Sequence, residues 1–413
     1  MKRGILSIVI LMTLAFMLTS CGASSNTSGS SGAPSKLKTR AFVTNSFAGL
    51  LQIIDYTRDT ESLNNVISAG SQPGMMVETP DRKSTLVFDS LSNAIDIIDN
   101  GTEAALVAIS LPASTNSIVV APDSKTAYAA TRNAPVSGQQ NGAVQVVDLT
   151  TATLGTQIPV PLANSLALSP DGNKMLVFGA GIDQANFIDL TPPPTGTTAT
   201  TPVAVAVTGQ PMSRPVAAVF TSDGTKAYVA NCGSECGGTG SAGISVVDMT
   251  ANPPSASAAF SVAGASTMLF DGTTLYVAGQ NSLTVLTPSG NTFTLVKGPV
   301  AIGAGFHTSM LIGADNTLFI GATGCPDGAN VPDAGCLSMY STSANDVRIT
   351  TGGKGPVTGM AAIPHRSVVY VVEGGELDIY DTKTRAVQVA PCPGFSCFID
   401  IVGKAVDVKV IDQ

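Results

Sequence analysis

One short sequence unit recurs along most of this chain of 413 residues. Its clearest copy spans residues 215–231, PVAAVFTSDGTKAYVAN, in which two apolar runs flank a Ser-Asp-Gly-Thr-Lys segment. Apolar, β-prone runs joined by an Asp-Gly corner are typical of a tight antiparallel hairpin. The unit therefore predicts a chain built from repeated two-stranded hairpins.

The second run of this hairpin occurs eight times, at intervals of roughly 41 to 52 residues, which is the period of a four-stranded propeller blade. The copies are residues 41–45, 86–88, 127–130, 176–178, 227–231, 275–278, 318–320 and 369–371. A third strand follows each copy and usually ends in Asp; copies six and seven (284–286 and 338–340) lack that Asp, which predicts less regular blades. A weaker fourth strand precedes the next hairpin. The pattern predicts an all-β fold, a β-propeller of four-stranded antiparallel blades over residues 37–413, with eight blades preferred and seven as the alternative.

The two ends of the chain complement each other. The first copy begins directly at a second strand (39–45), whereas the chain finishes with an unpaired strand-like run, residues 406–412. If the two runs pair, the C-terminal strand completes the first blade and no sheet edge is left open at the seam. We therefore expect a closed ring, in which only residues 398–402 have no assigned place.

The corner between the first two strands carries an Asp in five copies: Asp81, Asp123, Asp171, Asp223 and Asp271. Asp accepts local backbone hydrogen bonds and therefore suits a corner. An ion-binding array is the alternative, but turn chemistry that repeats with the blade explains the same pattern.

Together the hairpin, the Asp-ended third strand and the period resemble the YVTN-type β-propeller repeats of bacterial surface and periplasmic proteins. The best local matches are residues 169–178 (SPDGNKMLVF) and 222–231 (SDGTKAYVAN), and the resemblance extends from residue 35 to residue 413. It implies the fold. It does not imply one activity, because the family is functionally diverse and a fold does not determine function.

The N-terminus reads as an export signal over residues 1–20. Lys2 and Arg3 precede an apolar run (5–18) that is shorter than the ~20 residues of a membrane-spanning helix. The next residues, Leu-Thr-Ser-Cys, resemble the lipobox of bacterial lipoproteins, which implies that Cys21 is acylated, palmitate included, and becomes the first mature residue. Gly22 after the Cys favours the outer membrane in a diderm cell; an ordinary signal peptide is the alternative. Residues 21–36 then form a Ser/Gly-rich tether.

Charge argues against a nucleic-acid partner. The chain has 21 basic and 29 acidic residues, and cleavage after residue 20 would remove two basic residues and no acidic one, so the net charge would fall from −8 to 19 − 29 = −10. An acidic exported protein without a basic cluster is a poor nucleic-acid binder. We expect membrane attachment through the lipid alone.

Seven cysteines leave six when Cys21 is assigned to lipid. In an oxidising compartment, sequence proximity favours three local disulfides, although six cysteines allow fifteen pairings. Zinc is the alternative, but the spacings do not match a tetrahedral site of four cysteines, and the loops near residues 232 and 325 contain no His. The predicted pairs are Cys232 with Cys236, Cys325 with Cys336, and Cys392 with Cys397.

All three predicted disulfides fall in loops that share one face of a propeller, namely second-to-third-strand loops and blade-to-blade connections. The longest insertions, residues 131–141, 232–243 and 324–335, lie there too. Long cross-linked loops around a channel are a common binding surface, so we expect a protein or envelope partner there. Excursions that the disulfides merely protect against proteolysis are the alternative.

The chemistry of the chain favours binding over catalysis. Its two histidines are His307, a candidate channel residue, and His365 in a hairpin turn; no metal-ligand spacing or Gly-x-Ser-x-Gly motif is present. Asp327 and Asp333 fall short of an EF-hand calcium loop, and the chain has no Trp for stacking a quinone cofactor or a sugar. We therefore expect a binding or scaffolding lipoprotein without catalytic residues, metal or cofactor; a lactonase-like hydrolase using the channel is the alternative.

Replacing Cys21 by Ala tests the lipid anchor. Because the acylated residue would be lost, Cys21→Ala should move the protein from the membrane fraction to the soluble fraction, as measured by immunoblotting of fractionated cells. Ser24→Ala, three residues further along, should leave the protein membrane-bound. Continued membrane association of Cys21→Ala would contradict the lipobox interpretation.

Overall fold

The computed structural model of the chain describes residues 34–193, 201–326, 334–388 and 399–412. Within these ranges, eight sheets of mostly antiparallel strands follow one another in a ring. The fold is the predicted all-β propeller, and it has eight blades. The only helices in the described ranges are two 3-10 turns, Gly233–Cys236 and Ala314–Asn316. None of the described helices is long and apolar enough to span a membrane.

The first four blades follow the chain in order, except that the last strand of the chain also belongs to blade 1. Blade 1 contains β1 (Arg40–Asn45), β2 (Leu50–Asp55) and β3 (Thr60–Ser68), and blade 2 contains β4 (Pro73–Glu78), β5 (Ser84–Asp89), β6 (Ala94–Asp99) and β7 (Ala104–Ser110). Blade 3 contains β8 (Thr115–Val120), β9 (Thr126–Thr131), β10 (Ala143–Asp148) and β11 (Thr153–Pro159), and blade 4 contains β12 (Ala163–Leu168), β13 (Lys174–Gly179), β14 (Ala185–Asp189) and β15 (Ala204–Ala206).

The remaining blades show one irregular sheet and three regular ones. Blade 5 contains β16 (Thr208–Gly209), β17 (Pro215–Phe220), β18 (Lys226–Asn231), β19 (Gly243–Asp248), β20 (Ser255–Ala256) and β21 (Phe260–Ser261). Blade 6 contains β22 (Thr267–Phe270), β23 (Leu275–Ala278), β24 (Ser282–Ser289) and β25 (Thr292–Ala301). Blade 7 contains β26 (Phe306–Ile312), β27 (Thr317–Thr323), β28 (Leu337–Ser341) and β29 (Asp346–Ile349), and blade 8 contains β30 (Val357–Ala362), β31 (Val368–Glu373), β32 (Glu376–Asp381) and β33 (Ala386–Val387).

The ring closes through the C-terminal strand, β34 (Ala405–Val410), which pairs antiparallel with β1. The partners include Ala41 with Val410 and Val43 with Val408. The predicted closure is therefore confirmed: β34 supplies the first strand of blade 1. Residues 398–402 had no assigned place in the sequence pattern. Of these, Ile399 forms a single β-bridge to Leu377.

The first strands of neighbouring blades contact one another around the whole ring and so line the central channel. Because strands alternate in direction, second-to-third loops and blade-to-blade connections share one face, which we call the disulfide face. The first-to-second and third-to-fourth turns share the opposite face, which we call the turn face.

The hydrophobic core is divided among the interfaces between blades. In the described part of the chain, each of the eight interfaces holds one cluster of buried apolar side chains. The cluster between blades 8 and 1, for example, joins Tyr370 and Leu377 to Val43 and Val408, all at most 1% exposed. Both surfaces of a blade are therefore buried.

The expectation of irregular sixth and seventh blades is wrong. Each forms an ordinary four-stranded sheet, whereas in blade 5 the fourth strand is split into β20 and β21. The missing Asp affects only the turn, and in blade 7 a serine replaces it: Ser341 Oγ accepts the backbone N–H of Ala344 at 3.1 Å.

The corner aspartates form turns, as predicted. Asp223 accepts hydrogen bonds from the backbone N–H of Thr225 (3.0 Å) and from the hydroxyl of Thr221 (2.6 Å). These bonds, with the Thr221 hydroxyl foremost, lower the pKa of Asp223 to about 2. Asp81, Asp171 and Asp271 accept bonds from their own turns in the same way.

A charged cluster on the turn face fastens the seam of the ring. The Arg40 guanidinium donates to both carboxylate oxygens of Asp412 (2.7 and 2.8 Å) and to Glu103 of blade 2 (2.8 Å). Tyr56 donates its hydroxyl to the Asp412 carbonyl at 2.7 Å. On the other side of blade 1, Arg366 of blade 8 binds Asp59 at 2.6 and 2.7 Å.

Replacing Arg40 by Met should destabilise the ring strongly. The side chains of Arg40 and Glu103 are 10% and 4% exposed, and removing one partner of a buried pair costs about 3–5 kcal/mol because the other charge stays buried. We expect urea denaturation, followed by circular dichroism, to show this loss in the free energy of unfolding. Lys83→Met, which removes an exposed ion pair with Asp81 on the same face, should change little. Equal effects of the two substitutions would contradict the role of Arg40.

Candidate functional site

The structure contains two of the three predicted disulfides. Cys232–Cys236 lies between β18 and β19, and Cys325–Cys336 lies between β27 and β28, with Cα–Cα distances of 5.6 and 5.4 Å. Both belong to second-to-third loops and therefore to the disulfide face.

The other cysteines and the calcium candidates lie outside the described residues. The third predicted disulfide, between Cys392 and Cys397, falls in the range 389–398, which the structure does not describe, so this pair stays a prediction. The lipidation residue Cys21 and the calcium candidates Asp327 and Asp333 also lie outside the described ranges. The described part of the disulfide face therefore contains two disulfides.

The loop that carries the first disulfide is tied to blade 4. Asp183, in the second-to-third loop of blade 4, accepts hydrogen bonds from the backbone N–H of Arg214 (3.0 Å) and from the Thr239 hydroxyl (2.7 Å). The Thr239 hydroxyl and the other donors, together with the Arg214 charge, lower the pKa of Asp183. Arg214 also donates to the Gly237 carbonyl at 2.6 Å. These hydrogen bonds thus hold the Cys232–Cys236 loop in one position on the disulfide face.

Glycine is required where this loop turns. Gly233 has φ +72°, and a Cβ there would lie 2.4 Å from the backbone nitrogen of Ala242. A larger residue would have to push the loop apart, because the contact is with backbone atoms.

Bulges at the start of the first strands turn a ring of uncharged residues toward the channel mouth. In seven blades the register of the first strand shifts after its first pair, or in blade 7 after its second, so that one extra residue is present. In chain order, the extra residues are Gly74, Asn116, Asn164, Val216, Thr308, Thr358 and Val406.

Three cavities that described residues line open on the disulfide face around this mouth. One of about 450 Å³ lies beside the Cys232–Cys236 disulfide and includes Glu235 and Phe306 in its lining. A second, of about 390 Å³, is lined by Arg214, Asn164 and Phe306 among others, and a third, also of about 390 Å³, lies between blades 1, 2 and 3 and is lined by Lys404 among others. Each cavity is lined by one charged residue, which is Glu235 in the first, Arg214 in the second and Lys404 in the third.

Phe306 and His307 begin the first strand of blade 7 but lie in different environments. Phe306 is 44% exposed and borders two of the cavities, whereas His307 is 1% exposed. Burial lowers the pKa of His307, although the nearby Gly279 and Gly303 carbonyls oppose the shift. Neither ring nitrogen makes a hydrogen bond of good geometry among the described residues. His307 is therefore a neutral side chain that is buried next to the channel mouth, whereas the Phe306 side chain is exposed at the mouth. The other histidine, His365, is exposed in the turn between β30 and β31.

Exposed apolar side chains distinguish the two faces. Among the described residues, seven of the eleven exposed large hydrophobic side chains lie on or next to fourth strands, at the outer rim. The other four, Phe47, Leu91, Phe306 and Val402, lie on the disulfide face. Sequence reasoning missed them, because a single Phe or Val in a loop has no periodic signal; only the topology shows that four of them share one face.

The described residues contain no group of three or more His, Cys, Asp or Glu side chains that could hold a metal ion. The most strongly buried acid near this face with hydrogen-bond partners is Glu373 at the end of β31. It accepts hydrogen bonds from Tyr380 (2.8 Å) and Thr350 (3.2 Å), and burial raises its pKa to about 7. Its partners lie within and between blades 7 and 8, so its role is structural.

Comparison with known proteins agrees with the fold. No protein-family model matches the chain, and no curated protein sequence is significantly similar to it. Many solved structures are similar. A functionally unknown protein from Desulfotomaculum acetoxidans superposes with a TM-score of 0.54 at 16% identity, covering 90% of this chain and 98% of that one.

Two further structures have the same kind of fold. Dihydro-heme d1 dehydrogenase NirN, solved in complex with DHE, gives a TM-score of 0.63 at 11% identity and covers 91% of this chain and 75% of that one. The β-propeller domain of Cps50 (Swd1) from Myceliophteria thermophila gives 0.53 at 11% identity, with coverage of 72% and 92%. The chain is a β-propeller. At these identities the likeness shows the fold alone.

Replacing Glu373 by Gln should stabilise the protein at alkaline pH. Because the folded state raises the pKa of Glu373 from 4.5 to about 7, its contribution to stability is fully present below pH 4.5 and is lost as the pH rises through 7. Glu373→Gln should therefore unfold like the wild type at pH 4.5 and be more stable at pH 8, by up to about 3 kcal/mol at roughly 1.4 kcal/mol per pKa unit.

Urea denaturation at the two pH values measures this difference. Glu235→Gln, an exposed carboxylate on the same face, serves as the control and should not change the pH dependence. A Glu373→Gln variant that loses stability equally at both pH values would show that the charge of Glu373 is not the cause.

Proposed function

We propose that this propeller is a lipid-anchored protein of the cell envelope that binds a protein or another envelope component through its disulfide face. The asymmetry of the two faces carries the proposal. The disulfide face combines three cavities, two disulfides and four exposed apolar side chains, whereas the turn face presents aspartates whose carboxylates are engaged by their own turns. Exposed apolar side chains in a preformed concave surface are typical of binding sites.

The position of the N-terminal segment supports an orientation in which the disulfide face is directed away from the membrane. The first described residues lie on the turn face, where Ser35 donates to the Glu103 carboxylate at 2.5 Å from both its backbone nitrogen and its hydroxyl. The Ser/Gly-rich composition of the 14 residues that follow Cys21 (22–35) predicts a flexible tether with a mean span of roughly 20 Å. An anchor at Cys21 would therefore attach the body on its turn face and leave the disulfide face directed away from the membrane.

The fixed geometry of the disulfide face also supports binding. The Cys232–Cys236 loop is held by its disulfide and by the Asp183 hydrogen bonds, and a loop that is already ordered loses less conformational entropy when a partner binds. Among the described residues, each of the three cavities is lined by a single charged residue, whereas a hydrolase of the lactonase type needs several converging carboxylate or His side chains, so this lining supports the binding proposal.

Crosslinking in intact cells tests the proposal. Photocrosslinking from position 308, at the mouth, should capture a specific partner that mass spectrometry identifies. Phe306→Ser should lower the recovery of that partner about tenfold, because truncating a central aromatic residue of an interface commonly costs more than about 1 kcal/mol.

Leu63→Ser provides the matched control, because Leu63 is 80% exposed on the fourth strand of blade 1 and lies on the rim. It should leave recovery unchanged. Equal losses with both variants would contradict a site on the disulfide face. Absence of any partner, together with turnover of a lactone panel by the purified protein, would replace the binding function with the hydrolase.

A further inference from the structure

A buried carboxylate without a partner lies between blades 1 and 2. Asp96, in the middle of β6, is 3% exposed, and its Oδ2 accepts no hydrogen bond from a described residue. It pairs across the sheet with Val87, whose side chain belongs to the apolar cluster between blades 1 and 2. An unpaired charge in such a place costs far more free energy than a hydrogen-bonded polar group. Asp96 therefore needs a partner that the described side chains do not supply.

A second carboxylate on the same side of blade 2 adds to the negative charge. Asp89 is two residues from Val87 on β5 and so projects from the same face of the sheet. Burial, followed by the Asp89 charge, raises the pKa of Asp96 to about 6, so that Asp96 is mostly ionised at about pH 7.5. The pKa of Asp89 is itself lowered, because its hydrogen bonds outweigh its burial. The donors, at 2.7 to 3.0 Å, are the backbone N–H groups of Ser71, Gln72 and Leu91 and the Ser92 hydroxyl.

No basic residue compensates for these two charges. Among the described residues, neither Asp96 nor Asp89 takes part in an ion pair, and Asp89 is the only charged group that affects the pKa of Asp96. The ranges beyond residue 193 that the structure does not describe contain no Lys or Arg, and the first 33 residues contain only Lys2 and Arg3, within the predicted export signal. The compensating charge must therefore come from outside the mature chain.

Blade 8 carries the same pair of acids and neutralises it with a lysine. Glu373 ends β31, as Asp89 ends β5. Asp378 pairs with the residue two places before that end, as Asp96 does in blade 2. The Lys354 ammonium binds the Asp378 carboxylate at 2.9 Å. In blade 8, one positive charge thus serves this pair of carboxylates.

The corresponding position in blade 2 cannot carry a lysine. Lys354 lies three residues before Val357, which begins the first strand of blade 8, and Gly70 lies three residues before Pro73, which begins the first strand of blade 2. Gly70 has φ +76°, and a Cβ there would lie 2.4 Å from Asp89 Oδ2. A side chain at this position would be strained and would displace the carboxylate. Blade 2 therefore keeps the acids of blade 8 without its cation.

We propose that blade 2 binds a monovalent metal cation, Na⁺ or K⁺, at the Asp96 carboxylate, in the role that the Lys354 ammonium has in blade 8. Such cations are hard and prefer oxygen ligands, carboxylates among them. Ala108, opposite Asp96 in β7, is small and exposed, and so leaves a path for the ion from solvent. The site does not depend on the proposed binding function.

The number of free carboxylates selects a monovalent over a divalent cation. Each oxygen of Asp89 already accepts two hydrogen bonds, which leaves Asp96 as the free carboxylate. Sites that bind Ca²⁺ draw on several carboxylates, and the described residues contain no group of three or more acidic, His or Cys side chains that could hold a metal ion. One free carboxylate matches one positive charge, as in blade 8.

Urea denaturation of the purified protein at about pH 7.5 tests the site. NaCl or KCl replaces tetramethylammonium chloride at constant ionic strength, since the bulky organic cation cannot enter a buried site. Above the dissociation constant, a tenfold rise in Na⁺ or K⁺ should raise the folding equilibrium constant about tenfold, or 1.4 kcal/mol. Asp96→Asn should abolish this dependence. Asp99→Asn, which removes a turn carboxylate at the end of the same strand, should retain it.

Crystals soaked in thallium(I) acetate provide a second measurement, because Tl⁺ replaces monovalent cations and scatters anomalously. We expect an anomalous peak within about 3 Å of the Asp96 carboxylate, at the distance of a metal–oxygen bond, and no such peak in Asp96→Asn. Equal stability in all three salts, or a Na⁺ dependence that persists in Asp96→Asn, would overturn the proposal. Stabilisation by Ca²⁺ alone would also overturn it, because the site would then bind a divalent ion.

Discussion

The pairing of β34 with β1 is the constraint on which the rest of this propeller depends. Each blade buries both surfaces against its neighbours, so the ring has no blade that can be left unpaired. Without β34, blade 1 would lose the strand next to the channel, and the cluster between blades 8 and 1, which includes Tyr370 and Val408, would be open to water. The Arg40, Glu103 and Asp412 cluster adds charged contacts at the same seam.

Closure also decides where function can lie. Because strand side chains are used to pack neighbouring blades, the groups left for a ligand are those of loops, strand ends and bulges. The extra residue in the first strands is the clearest case, since it has no partner in the sheet and lies at the mouth. The disulfide face therefore gains its cavities from the irregular parts of a regular fold, and its loops are held by disulfides and side-chain hydrogen bonds instead of strand pairing.

Much of the fold could be predicted from local patterns. The hairpin, its period and the incomplete blades at the two ends led to eight blades and a closed ring, and the corner aspartates proved to be turn residues. The two described disulfides follow from sequence proximity. The expectation for blades 6 and 7 failed because the third-strand Asp serves the turn and not the sheet, so that Ser341 can replace it.

One buried polar position was not predictable. The residue of each third strand that pairs with the middle of the second strand is polar in all eight blades, as in Gln145, Ser245 and Ser338. Several of these side chains bond to backbone or side-chain groups around them; Gln145, for instance, donates to the Gly155 carbonyl at 2.9 Å. In the sequence the position reads only as a break in an apolar run. Its partners belong to other strands, which the fold must first bring together.

The sequence by itself determined the blade and the closure of the ring and favoured eight blades over seven, because these follow from local β-propensity, turn chemistry and a fixed period. Only the tertiary structure decided which side chains share the disulfide face. Phe47, Leu91 and Val402 are single apolar residues in three different loops. They lie on one face because strand direction alternates within each blade and the ring brings the end of the chain beside its beginning.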